Sequence, residues 1–588
     1  MTPPPGPATS TAGEPKSQTV ADLLRTRTRD DGPGLRFEES TWTWRQVVSE
    51  SERRRALAAR LRLPGPFHIG VLLDNVPDYL FWLGGAALGG ATVVGINPTR
   101  RGEELARDIR FADCQLVVTD TVGADLLDGL DLGLSPDRIL HIAHDSPDAA
   151  GPDDAGADQK APGPLGIGSA GISPSDLYLL LFTSGTTGSP KAVKCSQGRL
   201  AAIAQRAALG YGFRRDDVCY CPMPLFHGNA IMALWAPAMY VGATIALTRR
   251  FSASGFLSDV RRHRATRFTY VGKALAYVLA TPERPDDSDN PLREGFGTEA
   301  STPDRAAFEQ RFDCTLVEGY GSSEGGAVIN VTADTPSGSL GVPLPGDDIA
   351  VCSPRTMAEC PAARFDDAGR LLNADDAIGE IVNRGNLATF EGYYKNDDGN
   401  AERVHDGWYW TGDLAYRDER GFFYFAGRGD DWLRVDSENF AAAPVERIVE
   451  RHPDLAAVAV YAVPDPRSGD EVMAAVELRA GARFDPGSFA QFLSTQPDLG
   501  TKWSPRFIRV MDALPLTATG KITKAPLRRQ AWSCEDPVYW SPDPRSGNYR
   551  TFTEEDRLRL QDDFTRHGRS ALLPRSRPRS RRPGPGVL

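Results

Sequence analysis

The sequence predicts an α/β protein: a large N-terminal region of helix-covered sheets followed by a small α+β C-terminal domain. Three observations predict it. The chain has 588 residues, too many for one ordinary core, so two or more domains are expected. Helical patterns alternate with short apolar strands through most of its length, which implies parallel sheets covered by helices. Near Arg428 a β-rich run, FFYFAGR, meets the polar stretch GDD, and beyond it lies a compact unit of its own.

The alternation is clearest in the first third. Thr43 to Leu61 and Glu103 to Phe111 have helical spacing, while His68 to Leu73 and Gln115 to Thr119 read as buried strands. Tyr79 to Asn97 carries no charge and approaches the length of a membrane span. Its glycine pair, Gly89 and Gly90, divides it into a short capped helix and a β-branched strand, so a buried helix-strand unit is expected there. Asp145 to Asp176 is rich in Pro, Gly, Ala and Asp and reads as a solvated loop. In the C-terminal unit, Pro444 to Arg451 is a helix, with strands at Ala456 to Val463 and Glu471 to Leu478.

Boundaries follow from these changes. Residues 1–18 form a Pro-rich disordered leader, 19–428 the N-terminal domain, 429–430 a hinge, and 431–534 the small C-terminal domain. Residues 535–565 form a terminal extension and 566–588 a basic disordered tail. The arginines of the tail admit contact with an anionic membrane surface. The leader lacks the basic-then-apolar order of a secretory signal.

The formal net charge of −11 argues against nucleic acid as a partner, since a phosphate backbone needs a concentrated basic face. The eight cysteines are scattered, so neither a disulfide framework nor a zinc site is suggested, and a reducing cytoplasm fits.

The most informative stretch is Leu179 to Val193, LLLFTSGTTGSPKAV. An apolar strand runs straight into a loop of Thr183, Ser184, Gly185, Thr186, Thr187 and Gly188, and then reaches Lys191. Small residues let backbone N–H groups close around phosphate oxygens, hydroxyls add donors, and the lysine adds a charge. The spacing is not that of a Walker loop. GIGSAG, at Gly166 to Gly171, has the GxGxxG form but no preceding strand, and is treated as chance.

This string resembles the signature of the adenylate-forming superfamily, which includes acyl-CoA synthetases, luciferases and peptide-synthetase adenylation domains. Further resemblances follow in the family's order, from about Thr19 to Arg566. GTEA, at Gly297, Thr298, Glu299 and Ala300, is similar to the adenine-edge loop. GYGSSEG begins at Gly319. There the resemblance implies that Tyr320 stacks on the purine beside Gly321, that Ser322 and Ser323 contact the α-phosphate, and that Glu324 ligates Mg²⁺, which favours a hard carboxylate. In WTGDL it implies that Asp413 binds the ribose hydroxyls, with Arg428 holding the ribose from the hinge side.

LPLTATGKIT, ending at Thr523, resembles the family's last motif and makes Lys521 the candidate catalytic lysine. A cation there offsets the repulsion as a carboxylate attacks the α-phosphate. His227 in MPLFHGN occupies the place where acyl and aryl acid ligases carry a histidine beside the carboxylate site, which points away from amino-acid substrates. The resemblance further implies a lid that turns about Asp430 and brings the loop Ser437, Glu438 and Asn439 toward the CoA channel. Most relatives carry a glycine where this chain has Ser437, which bears on CoA transfer.

Phe268 to Leu279 and the extension Asp536 to Asp563 resemble the long-chain and very-long-chain fatty-acid–CoA ligases, the fatty acid transport protein branch of actinobacterial type. The implied reaction is fatty acid plus ATP giving acyl-AMP and pyrophosphate, then acyl transfer to coenzyme A, with Mg²⁺ as cofactor. The alternatives are an acyl-AMP ligase that loads a carrier protein, and a fatty-acid uptake or membrane-docking protein with minor catalysis.

Overall fold

The computed structural model describes residues 18–142, 171–183, 190–298, 300, 302–336, 338–366, 371–428, 432–435, 438–466, 470–496, 499, 503–517, 521–542, 548–567 and 569–574. The expected leader, apart from its last residue, most of the expected loop before Leu177, and the end of the tail lie outside these residues. The fold is mixed α/β, with a large N-terminal and a small C-terminal domain.

Two sheets dominate the N-terminal domain among the described residues. In one the order is Thr315–Glu318, Glu294–Thr298, Arg267–Val271, Val218–Cys221, Thr244–Leu247, Pro33–Phe37 and Ser40–Thr43. In the other it is Ile139–His141, Cys114–Thr119, His68–Leu72, Thr92–Gly95, Leu177–Thr183 and Lys191–Ser196. In both, every pairing but the last is parallel. Parallel strands need crossovers, usually helices, and these cover the faces. A third, antiparallel sheet combines Ile349–Cys352, Gly379–Asn383, Trp408–Arg417, Val404–His405 and Phe423–Arg428.

The uncharged stretch folds as its glycines dictate. Helix Pro77–Gly89 starts on a proline and ends at Gly90, whose φ of 63° is left-handed; strand Thr92–Gly95 follows. A second pair, Gly84 and Gly85, has a separate task. A Cβ on Gly84 would lie 2.2 Å from Ser51 Oγ, and one on Gly85 2.8 Å from Ser51 O. Bare backbone here lets the helix press on helix Trp44–Leu61, which begins with a Thr43–Gln46 capping box. The main core gathers around this contact and includes Trp44, Trp82 and Trp235, each at most 2% exposed. No helix among the described residues is long and apolar enough to cross a membrane.

The C-terminal domain is built on strands Leu455–Pro464, Asp470–Leu478, Phe507–Met511, Val538–Trp540 and Arg550–Thr551, with helix Ala442–Val449 packed on the first. The last two strands belong to the extension noted in the sequence. An aromatic cluster of Phe507, Trp532, Trp540, Phe552 and Phe564 fastens them and helix Glu554–Arg566 to the sheet.

Candidate active site

The loop Gly319–Gly325 leaves strand Thr315–Glu318 and returns through a bridge between Tyr320 and Ile329. This fold-back brings Tyr320 to Asp413, 93 residues on, and its hydroxyl donates to Asp413 Oδ2 at 2.8 Å. Burial, reinforced by the Asp413 carboxylate, pushes the Tyr320 phenol well above its ordinary range, so it stays protonated and donates. Asp413 is itself placed by its backbone N–H, which donates to Thr411 Oγ1 at 3.1 Å. Across the antiparallel ladder it stands opposite Arg428, so the two expected ribose residues share one rung. The adjoining Gly412 N–H donates to Glu380 at 2.5 Å.

Glu324, half-buried, accepts a hydrogen bond from the Tyr393 hydroxyl at 3.0 Å. Its loop is tied down by Arg199, which donates to Ser323 O at 2.6 Å and to Lys194 O at 2.7 Å. Gly228, directly after His227, closes on the same loop: a Cβ there would lie 2.7 Å from Ser323 Oγ. The histidine turn and the serine-glutamate turn are therefore in contact.

His227 is half-buried and N-caps the short helix Gly228–Ala230, its Nδ1 accepting from Asn229 N at 3.4 Å. The approach to it is fixed by the buried Asn75, which donates to Met223 O at 2.9 Å and accepts from Leu225 N at 2.8 Å. Close by, an apolar cavity of about 10 Å³ is lined by Met223, Phe251, Phe268, Tyr270, Leu275 and Val278 among others. That is room for about one water.

Lys191 opens strand Lys191–Ser196. Its Nζ pairs with Glu402 at 3.1 Å and lies 5.7 Å from the Tyr393 ring centroid. Gly297, in strand Glu294–Thr298, lies across from Tyr270 in the parallel pairing. Tyr270 donates to Glu318 Oε1 at 3.4 Å, and the same oxygen accepts from Ala300 N at 2.9 Å. Thr298 ends that strand.

Ser184, Gly185, Thr186, Thr187, Gly188, Glu299, the hinge at Asp430 and Ser437 lie outside the described residues, and Arg428 is described in its backbone alone. The backbone of Glu438 and Asn439 pairs with Val435 and Arg434. Lys521 belongs to the C-terminal domain. Thr517 N donates to Lys521 O at 2.7 Å, and Lys521 N to Thr517 Oγ1 at 3.1 Å.

Among the described residues no group of three or more His, Cys, Asp or Glu gathers to hold a metal alone. The lone Glu324 still suits Mg²⁺, which keeps several waters and is completed by substrate phosphates.

Sequence reading passed over Tyr393, Arg403, Arg199 and the Tyr270–Glu318 pair. The EGYYKN run around Tyr393 is an aromatic pair after a glycine, a signal too common to single out. Arg403 and Arg199 carried none.

Strand Leu177–Thr183, the paired Tyr320 and Asp413, and the Glu324 turn are the parts of the candidate nucleotide site that the described residues contain. The chain belongs to the AMP-binding enzyme family, which matches residues 25–394, and residues 444–521 match the AMP-binding enzyme C-terminal domain. It is 55% identical to the steroid-22-oyl-CoA synthetase of Rhodococcus jostii (strain RHA1) over 94% of this chain and 99% of that protein. It is 46% identical to the medium/long-chain-fatty-acid–CoA ligase FadD17 of Mycobacterium tuberculosis (strain ATCC 25618 / H37Rv), over 89% of this chain and 99% of the relative. The fold is that of the anthranilate CoA ligase AuaEII in complex with anthranoyl-AMP, with a TM-score of 0.74 and 22% identity, covering 88% of this chain and 98% of that one.

Proposed function

We propose that this acyl-CoA ligase acts on the carboxylic acid of a lipid, a medium- or long-chain fatty acid. The reaction has two steps. The acid displaces pyrophosphate from ATP to give acyl-AMP, and the thiol of CoA then displaces AMP to give acyl-CoA. The observation that carries this reading is the contact between the His227 turn and the Ser323–Glu324 turn, which supports an acid site and a phosphate site side by side.

In this reading Asp413 and Tyr320 orient the nucleoside, Lys191 and the hydroxyls of the preceding loop hold the phosphates, and His227 borders the carboxylate. Glu324 would hold Mg²⁺, which when bound neutralises charge on the triphosphate. Lys521 stabilises the charge of the first transition state from the lid. A lid rotation at residues 429–430 then replaces it with the Ser437 to Asn439 face. The small apolar cavity would admit a lipid tail only by displacing the side chains around it.

A second reading of the acid is favoured by the 55% identity to a steroid-22-oyl-CoA synthetase: a steroid bearing a carboxylated side chain. A pyrophosphate-release panel tests both, running from acetate to very long chains and including a steroid side-chain acid, with and without CoA. The expected result is that a lipid acid wins and that CoA takes the acyl group. Preference for acetate, an aryl acid or an amino acid overturns the lipid reading, and thioester found only on a carrier protein overturns the CoA step. The setting that suits eight unpaired cysteines is the cytoplasm.

A further inference from the structure

Tyr393 sits at the meeting point of the two charged groups proposed to face the triphosphate. Its hydroxyl donates to Glu324 Oε1, and Lys191 lies over its ring. The residue is 2% exposed and its position is fixed on every side. Its segment is stitched to strand Lys191–Ser196, with Lys194 N donating to Gly392 O and Tyr394 N to Ala192 O. Asn400 brackets its backbone, accepting from Tyr393 N at 2.6 Å and donating to Tyr393 O at 3.2 Å. Phe390 packs edge-on against the ring at 5.4 Å.

Behind the hydroxyl stands Arg403, whose Nε donates to Tyr393 Oη at 3.3 Å. Arg403 ends helix Asp397–Arg403, and Glu402, its neighbour on that helix, is the partner of Lys191. One short helix thus reaches both the lysine and the tyrosine oxygen that holds the carboxylate.

We propose that Tyr393 and Arg403 are positioning residues for Glu324: Arg403 fixes the tyrosine oxygen, and the tyrosine hydroxyl fixes one oxygen of the carboxylate, leaving the other for the metal. A carboxylate free to swivel would lose rotational entropy whenever it bound Mg²⁺; one already held has lost it in folding. A carboxylate oxygen can only accept, so the tyrosine hydroxyl is the donor in this bond. A guanidinium keeps its charge at any pH the protein meets, so Arg403 is a constant donor to the tyrosine oxygen.

The inference rests on Glu324 being the metal ligand. Tyr393→Phe keeps the ring in its aromatic surroundings and deletes only the hydroxyl. In the full-length protein with a non-hydrolysable ATP analogue, Mn²⁺ affinity followed by electron paramagnetic resonance should fall roughly tenfold, the usual scale for a partner behind a metal ligand. Binding of the analogue without metal and the melting midpoint should stay at wild-type values. Arg403→Gln should weaken Mn²⁺ binding in the same direction, and Arg403→Lys should restore part of it. Glu324→Gln is the control. If it weakens Mn²⁺ binding while Tyr393→Phe does not, the positioning inference alone fails; if Glu324→Gln binds Mn²⁺ as wild type does, both readings fail. A Tyr393→Phe protein that melts early and binds metal-free analogue proportionately worse also overturns the inference, because Tyr393 is then a packing residue.

Discussion

Gly297→Ala tests the stacking of Tyr270 on the candidate adenine strand. A Cβ at Gly297 would lie 2.4 Å from Tyr270 Cδ2 and Cε2, whereas ordinary contact begins at 3.4 Å, so the ring must retreat by about 1 Å. It has little room to do so. Tyr270 is 1% exposed, and its ring packs 5.7 Å from that of Phe268. Overpacking of this kind costs about 1–3 kcal/mol. Loss of glycine's freedom in the unfolded chain returns about 0.4–1 kcal/mol, so the clash wins and the net cost is about 1–2 kcal/mol. The same displacement reaches the nucleotide side, because Tyr270 and Ala300 share the Glu318 Oε1 acceptor. If about 1 kcal/mol of the strain reaches Ala300, KM for ATP rises roughly fivefold. Thermal melting and initial rates at varied ATP measure the two effects. Tyr270→Ala removes the ring, so adding Gly297→Ala to it should cost less than on the wild type. Wild-type melting and KM in Gly297→Ala, or strict additivity in the double variant, would refute the reasoning.

Lys521→Ala should lose roughly 10²-fold or more in adenylate formation while acyl-CoA formation from supplied acyl adenylate and CoA is spared; equal damage to both steps would show that the lysine does not belong to one lid position. Asp30 bears on acid stability: its burial alone would raise the carboxyl pKa, but bonds from Arg215, Gly32 N and Arg27 outweigh it and bring it from 3.8 down to about 2. A depressed carboxyl stabilises above its unfolded value and loses that contribution as pH falls from about 4 toward 2. The urea midpoint of wild type should therefore exceed that of Asp30→Asn at pH 5, and the gap should shrink by pH 3; a gap independent of pH would remove Asp30 from acid unfolding.

The sequence by itself determined what local physics decides. Alternating periodicities specified helix-covered sheets. The charge-free stretch resolved into helix Pro77–Gly89 and strand Thr92–Gly95 because glycine caps and β-branched residues act over a few positions. The candidate phosphate loop, the GYGSSEG turn and the Lys521 turn could be picked out as candidates for the same reason, since each packs its chemistry into a handful of consecutive residues. Tertiary structure alone decided which of these meet. Glu324 and Tyr393 are 69 residues apart, Tyr320 and Asp413 93, and Lys191 and Glu402 211. Nothing in the short-range pattern marks Arg403 or Tyr393 as neighbours of a carboxylate. Gly84 and Gly85 read as part of an apolar run until the close approach of Ser51 shows why a side chain is excluded there. A side chain's partner across such distances is set by how sheets stack and loops fold back, and residue type and spacing do not encode that one position at a time.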